Sequence, residues 1–291
     1  MLDETMTLTK FQDKFKSEED CLDAVEKARW PKGFICPNCG HDDACRISTR
    51  RLMQCTVCSR QTSITAGTVF HKTRTPLRNW FWIIYHVAND KGGASATRLS
   101  EQLGMHYFTV WHILHKVRHA MGQRNKSMLL AGVIEIDEAV LGKKFKKNVL
   151  VMIESEGDMA GNLVMKEMDS INRDCIEEIV DQSVEPDMQH HFKSDKLQAH
   201  FVLRSMGHKL DARKSSRETT KNHLPLVHIA IALTKRLFMG TYHRRGPKLL
   251  QPYLNEICFR FNRRHKQSSI AQSLLRACVF ALPVEYAELT L

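Results

Sequence analysis

Two Cys-x-x-Cys pairs near the N-terminus constrain the fold more than any other feature of this chain. Cys36 and Cys39 form the first pair, and Cys55 and Cys58 form the second after fifteen intervening residues. Each pair can place two thiolates on a tight turn, and two such turns complete a tetrahedral four-cysteine site for Zn²⁺. We therefore predict a zinc ribbon with a hairpin between the pairs, and we expect Cys45 to be a spare thiol.

The composition is that of a soluble globular protein. The chain has 291 residues, of which 43% are hydrophobic and 26% are charged. No apolar run approaches the roughly 18 residues that a membrane span needs, and the N-terminus lacks the pattern of a signal peptide. We expect a cytoplasmic protein without a membrane partner, in which cysteines are metal ligands rather than disulfides.

Charge is distributed in blocks along the chain. The formal net charge is +11; residues 36–125 and 201–270 are strongly basic and flank an acidic block at 126–200. Basic blocks favour a polyanionic partner, most simply nucleic acid, although a solvated basic surface has the same composition. We therefore expect double-stranded DNA as partner and association with the nucleoid.

The pattern predicts a multidomain chain. Ser17 and Asp20 form a capping-box signal for a short helix that Pro31 ends. The predicted parts are an N-terminal helix at 1–35, the zinc ribbon at 36–70, a helix-turn-helix region at 71–128, an α/β catalytic domain at 129–270 and a C-terminal tail at 271–291.

The helix-turn-helix prediction rests on two amphipathic segments. Leu99 and Leu103 mark a short helix, Gly104 suits its C-terminal turn, and the apolar residues from Val110 to Met121 mark a second helix. Any helical hairpin gives this pattern, but the basic background favours DNA binding. The residues expected to face the groove are Tyr107, Thr109 and His112.

From residue 132 onward, short apolar runs alternate with helical segments, which predicts an α/β domain with a mixed sheet. Asp137 lies inside one apolar strand, and Asp195 lies at the end of another. Acidic residues that converge at strand ends are a common way to bind Mg²⁺. Strand alternation puts Glu135 on the face of Asp137 and turns Glu138 away.

Several segments, in this order, are similar to bacterial insertion-sequence transposases of the DDE type that carry an N-terminal zinc ribbon and an ISXO-like domain. These segments are "RWPKGFICPNCG", "EIDEAVLGKK", "KSDKLQAH", "TKRLFMGTYH" and "YLNEICFRFNRR". The resemblance implies an RNase H-like catalytic domain with a mixed five-stranded sheet. It also implies cleavage and joining of DNA at transposon ends by a multimer, at least a dimer, that binds terminal inverted repeats and target DNA.

The resemblance places His228 where relatives have the third catalytic residue, a glutamate. It therefore implies a triad of Asp137, Asp195 and His228 that binds Mg²⁺ or Mn²⁺, because a neutral imidazole can also ligate a divalent ion. On the sequence alone, His228 within "HLPLVHIAIALTKR" equally suits a hydrogen-bonded core histidine. Glu218 and His223 are weaker candidates for the third position.

The basic residues that we expect to contact DNA phosphates lie in the ribbon, after the first catalytic strand or on the helix of His228. They are Arg46, Arg50, Arg51, Arg60, Lys143, Lys144, Lys146, Lys147, Lys235 and Arg236. The alternatives to a transposase are a DNA-binding regulator, an inactive domesticated copy and a metal-dependent DNA nuclease.

Overall fold

The computed structural model describes residues 6–142, 146–214, 216, 222–242, 249–265 and 270–290. The chain divides into two compact units, Met1–Gln123 with Lys266–Leu291, and Arg124–His265. No helix in the described ranges is long and apolar enough to cross a membrane.

The helices are α1 (Leu8–Lys14), α2 (Glu18–Arg29), α3 (Leu77–Asn89), α4 (Ala96–Leu103), α5 (Tyr107–Asn125), α6 (Arg173–Asp181), α7 (Val202–Ser205), α8 (Pro225–Gly240), α9 (Leu250–Phe261), α10 (Ile270–Phe280) and α11 (Tyr286–Thr290). The strands are β1 (Ala44–Ile47), β2 (Leu52–Cys55), β3 (Gln61–Ser63), β4 (Val133–Leu141), β5 (Lys147–Glu156), β6 (Met159–Met168), β7 (His191–Asp195) and β8 (Lys209–Arg213).

The first unit begins with helices and the ribbon. The predicted capping box at the start of α2 is confirmed, since Ser17 and Asp20 exchange side-chain and backbone hydrogen bonds. The hairpin predicted between the cysteine pairs is also confirmed; β1 and β2 pair antiparallel, and β3 adds a third strand. Helix α1 was not predicted; it buries Phe11, whose ring packs against Trp82 of α3.

The predicted two helices with a glycine turn are present as α4 and α5. Gly104 caps α4 in the left-handed conformation at φ 61°, which an L side chain adopts only with strain. The predicted apolar face of α5, including Val110, Leu114 and Met121, is buried.

The C-terminal residues belong to the first unit. We expected a separate tail at 271–291, but α10 packs against α2 and α3 and buries Leu274 and Cys278. The backbone N–H of Val69 also donates to the carbonyl of Cys278 at 3.0 Å. These residues therefore complete the core of the N-terminal unit.

The second unit is built on the expected mixed five-stranded sheet, in the order β6-β5-β4-β7-β8. The hairpins β4–β5 and β5–β6 are antiparallel, whereas β4–β7 and β7–β8 are parallel. This is the RNase H-like arrangement, with the first strand of the domain at the centre of the sheet.

Helices cover both faces of this sheet. Ala139 and Leu141 of β4 pack with α8 and α9, while Ile134 and Ile136 pack with α6 and α7. Because side chains alternate along a strand, Asp137 faces α8 and Glu138 faces the opposite side.

Candidate active site and zinc centre

The four ribbon thiols are already arranged as metal ligands. The Sγ atoms of Cys36 and Cys58 are 3.5 Å apart, those of Cys39 and Cys55 are 3.6 Å apart, and all four lie within 4.8 Å of one another. A tetrahedral site with Zn–S bonds of about 2.3 Å has S···S edges of about 3.8 Å. The cluster therefore fits a structural Zn²⁺, and Cys45 lies exposed outside it.

Two similar turns hold the thiols. The N–H of Gly40 donates to the carbonyl of Cys36 at 2.9 Å, and the N–H of Ser59 donates to that of Cys55 at 3.1 Å. Both turns need a positive φ, 75° at Gly40 and 55° at Ser59. The second turn thus places a strained serine where glycine would relax the backbone.

Asp137 and Asp195 lie on two adjacent parallel strands, Asp137 in the middle of β4 and Asp195 at the end of β7. The last paired residues of β4 and β7 are Ile136 and Ser194, and each aspartate comes next in its strand. Burial raises the pKa of Asp137, while the neighbouring His228 opposes that shift. A buried carboxylate in this position gains from a nearby cation.

His228 lies near Asp137 and outside the apolar core. Its Nδ1 atom is 3.6 Å from the Oδ2 atom of Asp137, and its side chain is 35% exposed. The core side chains of α8 are instead its neighbours Val227, Ala230 and Ile231. This geometry does not support the alternative of a buried core histidine.

Glu135 fixes the start of the helix that carries His228. Its Oε2 atom accepts the backbone N–H groups of Leu226 and Val227 at 2.8 and 2.9 Å, inside the core. A carboxylate at a helix N-terminus satisfies free N–H donors and the helix dipole. Burial nevertheless raises the pKa of Glu135 because the carboxylate is removed from water.

His200 contacts two of the site's acids, and the sequence reasoning missed it. The imidazole is fully buried, with Nε2 2.6 Å from Oε1 of Glu138 and Nδ1 3.4 Å from Oδ1 of Asp195. Burial alone would lower the pKa of His200, but the adjacent carboxylates of Asp195 and Glu138 raise it to about 9. The same contact lowers the pKa of Asp195. Its only sequence signal was its position five residues after Asp195.

His223 and Glu218 were the weaker candidates for the third catalytic residue, and the structure describes only His223. His223 is buried, and its Nε2 atom lies 3.1 Å from the carbonyl oxygens of both Ser194 and Asp211, so this nitrogen is engaged by the backbone. Glu218 lies outside the described residues.

Asp137, Asp195 and His228 are less tightly gathered than the thiols. Within the ranges that the structure describes, the cysteine cluster is the one set of three or more His, Cys, Asp or Glu side chains whose ligand atoms all lie within 4.8 Å. The donor set of two carboxylates and one imidazole still has the chemistry of a Mg²⁺ or Mn²⁺ site.

The predicted phosphate contacts at the ribbon fall into two groups. Arg46 pairs with Glu19, with Asp23 at 2.8 Å and with Glu26 at 3.5 Å, so three carboxylates of α2 neutralise it. We therefore do not retain Arg46 as a DNA contact. The other ribbon arginines, Arg50, Arg51 and Arg60, are exposed.

The phosphate contacts predicted in the second unit also differ in their surroundings. Lys147 pairs with Glu167 at 2.9 Å, whereas Lys146, Lys235 and Arg236 are exposed. Lys143 and Lys144 lie outside the described residues.

At the start of α5, the three predicted groove-facing residues have different surroundings. Tyr107 is exposed, as is its neighbour Phe108. Thr109 is half-buried. The His112 ring packs edge-on against Tyr286 with centroids 5.4 Å apart, and burial lowers the pKa of His112.

Comparison with known proteins gives the class and then the family. A family described as the transposase zinc-ribbon domain matches residues 16–61, and one described as the ISXO2-like transposase domain matches residues 129–262. Together they cover more than half of the chain, and both descriptions are of transposase domains. The chain therefore carries a transposase zinc-ribbon domain followed by an ISXO2-like transposase domain.

A relative comes from Halobacterium salinarum, where it is described as an uncharacterized protein in transposable element ISH50. It is 28% identical over 127 residues, which is 43% of this chain and 42% of the relative. The match therefore spans about two fifths of each protein.

Proposed function

We propose that this protein binds the terminal inverted repeats of an insertion sequence and catalyses metal-dependent cleavage and strand transfer, with Asp137, Asp195 and His228 as metal ligands. The observation that carries the proposal is the position of the two aspartates, each directly after the last residue pair of β4 and β7, with His228 3.6 Å from Asp137. The match of residues 129–262 to the ISXO2-like transposase domain supports it independently.

The chain's own groups have distinct roles in this proposal. Asp137 and Asp195 supply oxygen ligands from a rigid sheet, and Glu135 holds α8 so that His228 faces Asp137. When bound, divalent ions supply activation of the attacking oxygen and stabilisation of the leaving oxygen. Zn²⁺ in the ribbon stabilises the fold of the N-terminal unit.

DNA contact is assigned to basic and polar groups of both units. Phosphate contacts position the duplex without reading its sequence, whereas groove contacts discriminate between bases. The proposed contacts are Arg50, Arg51, Arg60, Tyr107, Thr109, His112, Lys143, Lys144, Lys146, Lys147, Lys235 and Arg236. We also propose that the active form is at least a dimer on paired ends.

The test uses the full chain and duplexes that carry the inverted repeats flanking its reading frame. Asp137→Asn and Asp195→Asn are expected to abolish cleavage and strand transfer while retaining end binding. Asp158→Asn, at an exposed turn residue, is the matched control. End binding by the wild type without cleavage in Mg²⁺ or Mn²⁺ would establish the regulator or inactive-copy alternative, and cleavage without joined products would establish the nuclease.

A further inference from the structure

A crevice in the N-terminal unit is lined by three arginines. We call it the ribbon crevice: a cavity of about 520 Å³ whose walls include Arg50 and Arg51 from the β1–β2 turn and Arg74 from the segment before α3. Glu18, at the start of α2, is the one acidic residue in this lining.

The charges in the ribbon crevice are not balanced by the protein. Arg50 and Arg74 are exposed and form no ion pair within the part of the chain that the structure describes. Arg51 is 3.5 Å from Glu18 and remains 52% exposed. Both oxygens of Glu18 already accept N–H groups of α3, from Leu77 at 2.8 Å and Arg78 at 3.1 Å. An excess of guanidinium donors therefore faces the cavity.

The backbone of Arg51 supplies a second, independent observation. Its φ of 53° lies in the left-handed region, where a non-glycine residue costs about 1 kcal/mol or more. Glycine would satisfy this tight turn, in which Ile47 pairs with Leu52. The strain is thus associated with an arginine side chain that lines a basic cavity, which points to a role in binding.

We propose that the ribbon crevice binds a backbone phosphate of duplex DNA through Arg50, Arg51 and Arg74. Guanidinium groups donate paired hydrogen bonds to phosphate oxygens, and a recessed site fixes the position of one phosphate. This inference rests on the proposed function and deepens it, because it assigns the ribbon a register-setting contact on DNA rather than a diffuse basic surface.

The experiment compares two glycine substitutions in the full chain. Arg51→Gly and Ser59→Gly both relieve a positive φ, so both are expected to raise the melting temperature. Only Arg51→Gly is expected to weaken binding to a fluorescent duplex of arbitrary sequence, by about ten-fold. The slope of log Kd against log salt concentration should also fall by about 0.9, the value for one phosphate contact.

Arg50→Ala and Arg74→Ala extend the test, since both residues are exposed and form no ion pair among the described residues, so their loss should not impair folding. Each substitution is expected to reduce the slope of log Kd against log salt concentration, as Arg51→Gly does. If the wild type binds DNA with steep salt dependence but all three variants keep the wild-type slope of log Kd against log salt concentration, phosphate binding in the ribbon crevice is overturned. The proposed function would still stand. Wild-type duplex binding and variant effects without cleavage of the repeats would support the crevice and count against the proposed function.

Discussion

The Nδ1 atom of His228 lies 3.6 Å from the Oδ2 atom of Asp137. This separation allows either a direct ion pair or two ligands that share a metal ion. The two cases differ in what a substitution does. If the groups only pair, removing the imidazole leaves Asp137 able to bind metal, whereas loss of a ligand impairs the site itself.

We predict that His228→Ala loses cleavage by about 100-fold or more, because even outer-shell partners of metal ligands commonly contribute 10–100-fold. His228→Glu should retain or raise activity with Mg²⁺, which prefers oxygen, and the wild type should work relatively better with Mn²⁺. Cleavage by the wild type and both variants, titrated with each metal, is the measurement. Thermal melting is the control, and normal cleavage by His228→Ala would eliminate His228 as a ligand.

His200 is predicted to be a positioning residue that acts through Asp195. His200→Ala should lower cleavage by about 10–100-fold and shift the Mn²⁺ requirement to higher concentration, with duplex affinity unchanged. His191→Ala, at the other end of β7 and exposed, is the matched control. Thermal melting checks that the variant is folded, and direct Mn²⁺ binding followed by electron paramagnetic resonance then reports ligand geometry; unaltered Mn²⁺ binding would rule out this role.

The zinc centre should depend on the four clustered thiols alone. Cys36→Ser is expected to lower both the zinc content and the melting temperature of the N-terminal unit, because structural zinc contributes directly to folding. Cys45→Ser should change neither, since Cys45 lies outside the cluster. Elemental analysis of the purified chain, expected to give one zinc per chain, checks the assignment, and a folded protein without zinc would contradict it.

Helix α10 should be needed for a stable N-terminal unit. Leu274→Ala is expected to lower the free energy of unfolding by about 2–5 kcal/mol, as large-to-small changes in a core do. Arg276→Ala, at an exposed position, should change it little. Chemical unfolding followed by tryptophan fluorescence measures both. For the same reason, a fragment ending near residue 130 should melt lower than that fragment joined to residues 266–291. Equal stability of the two fragments would mean that α10 is dispensable.

The sequence was informative where the determining interaction is local. The capping box at Ser17, the glycine turn after α4 and the two cysteine turns each involve residues a few positions apart, so their chemistry is visible as spacing. The order of apolar strands likewise predicted the mixed sheet, because strand alternation and segment length carry that information.

Interactions between distant segments could not be predicted in this way. No local pattern indicates that Glu135 caps α8, or that His200 lies between Glu138 and Asp195. Similarly, the arginines of the ribbon look alike in sequence. Only the position of α2 shows that acids neutralise Arg46, whereas Arg50 has no ion pair within the described ranges.

Because α10 belongs to the core of the N-terminal unit, the ribosome makes the parts of that core at two separate times. A ribosome completes residues 1–123 early, but the helix that finishes their core is made after the entire second unit. At about 5–20 residues per second, this delay is roughly 7 to 30 s. A nascent chain, or the product of a gene copy interrupted before codon 270, would therefore lack a completed N-terminal core. Such products would compete poorly for the DNA that we propose the finished protein binds.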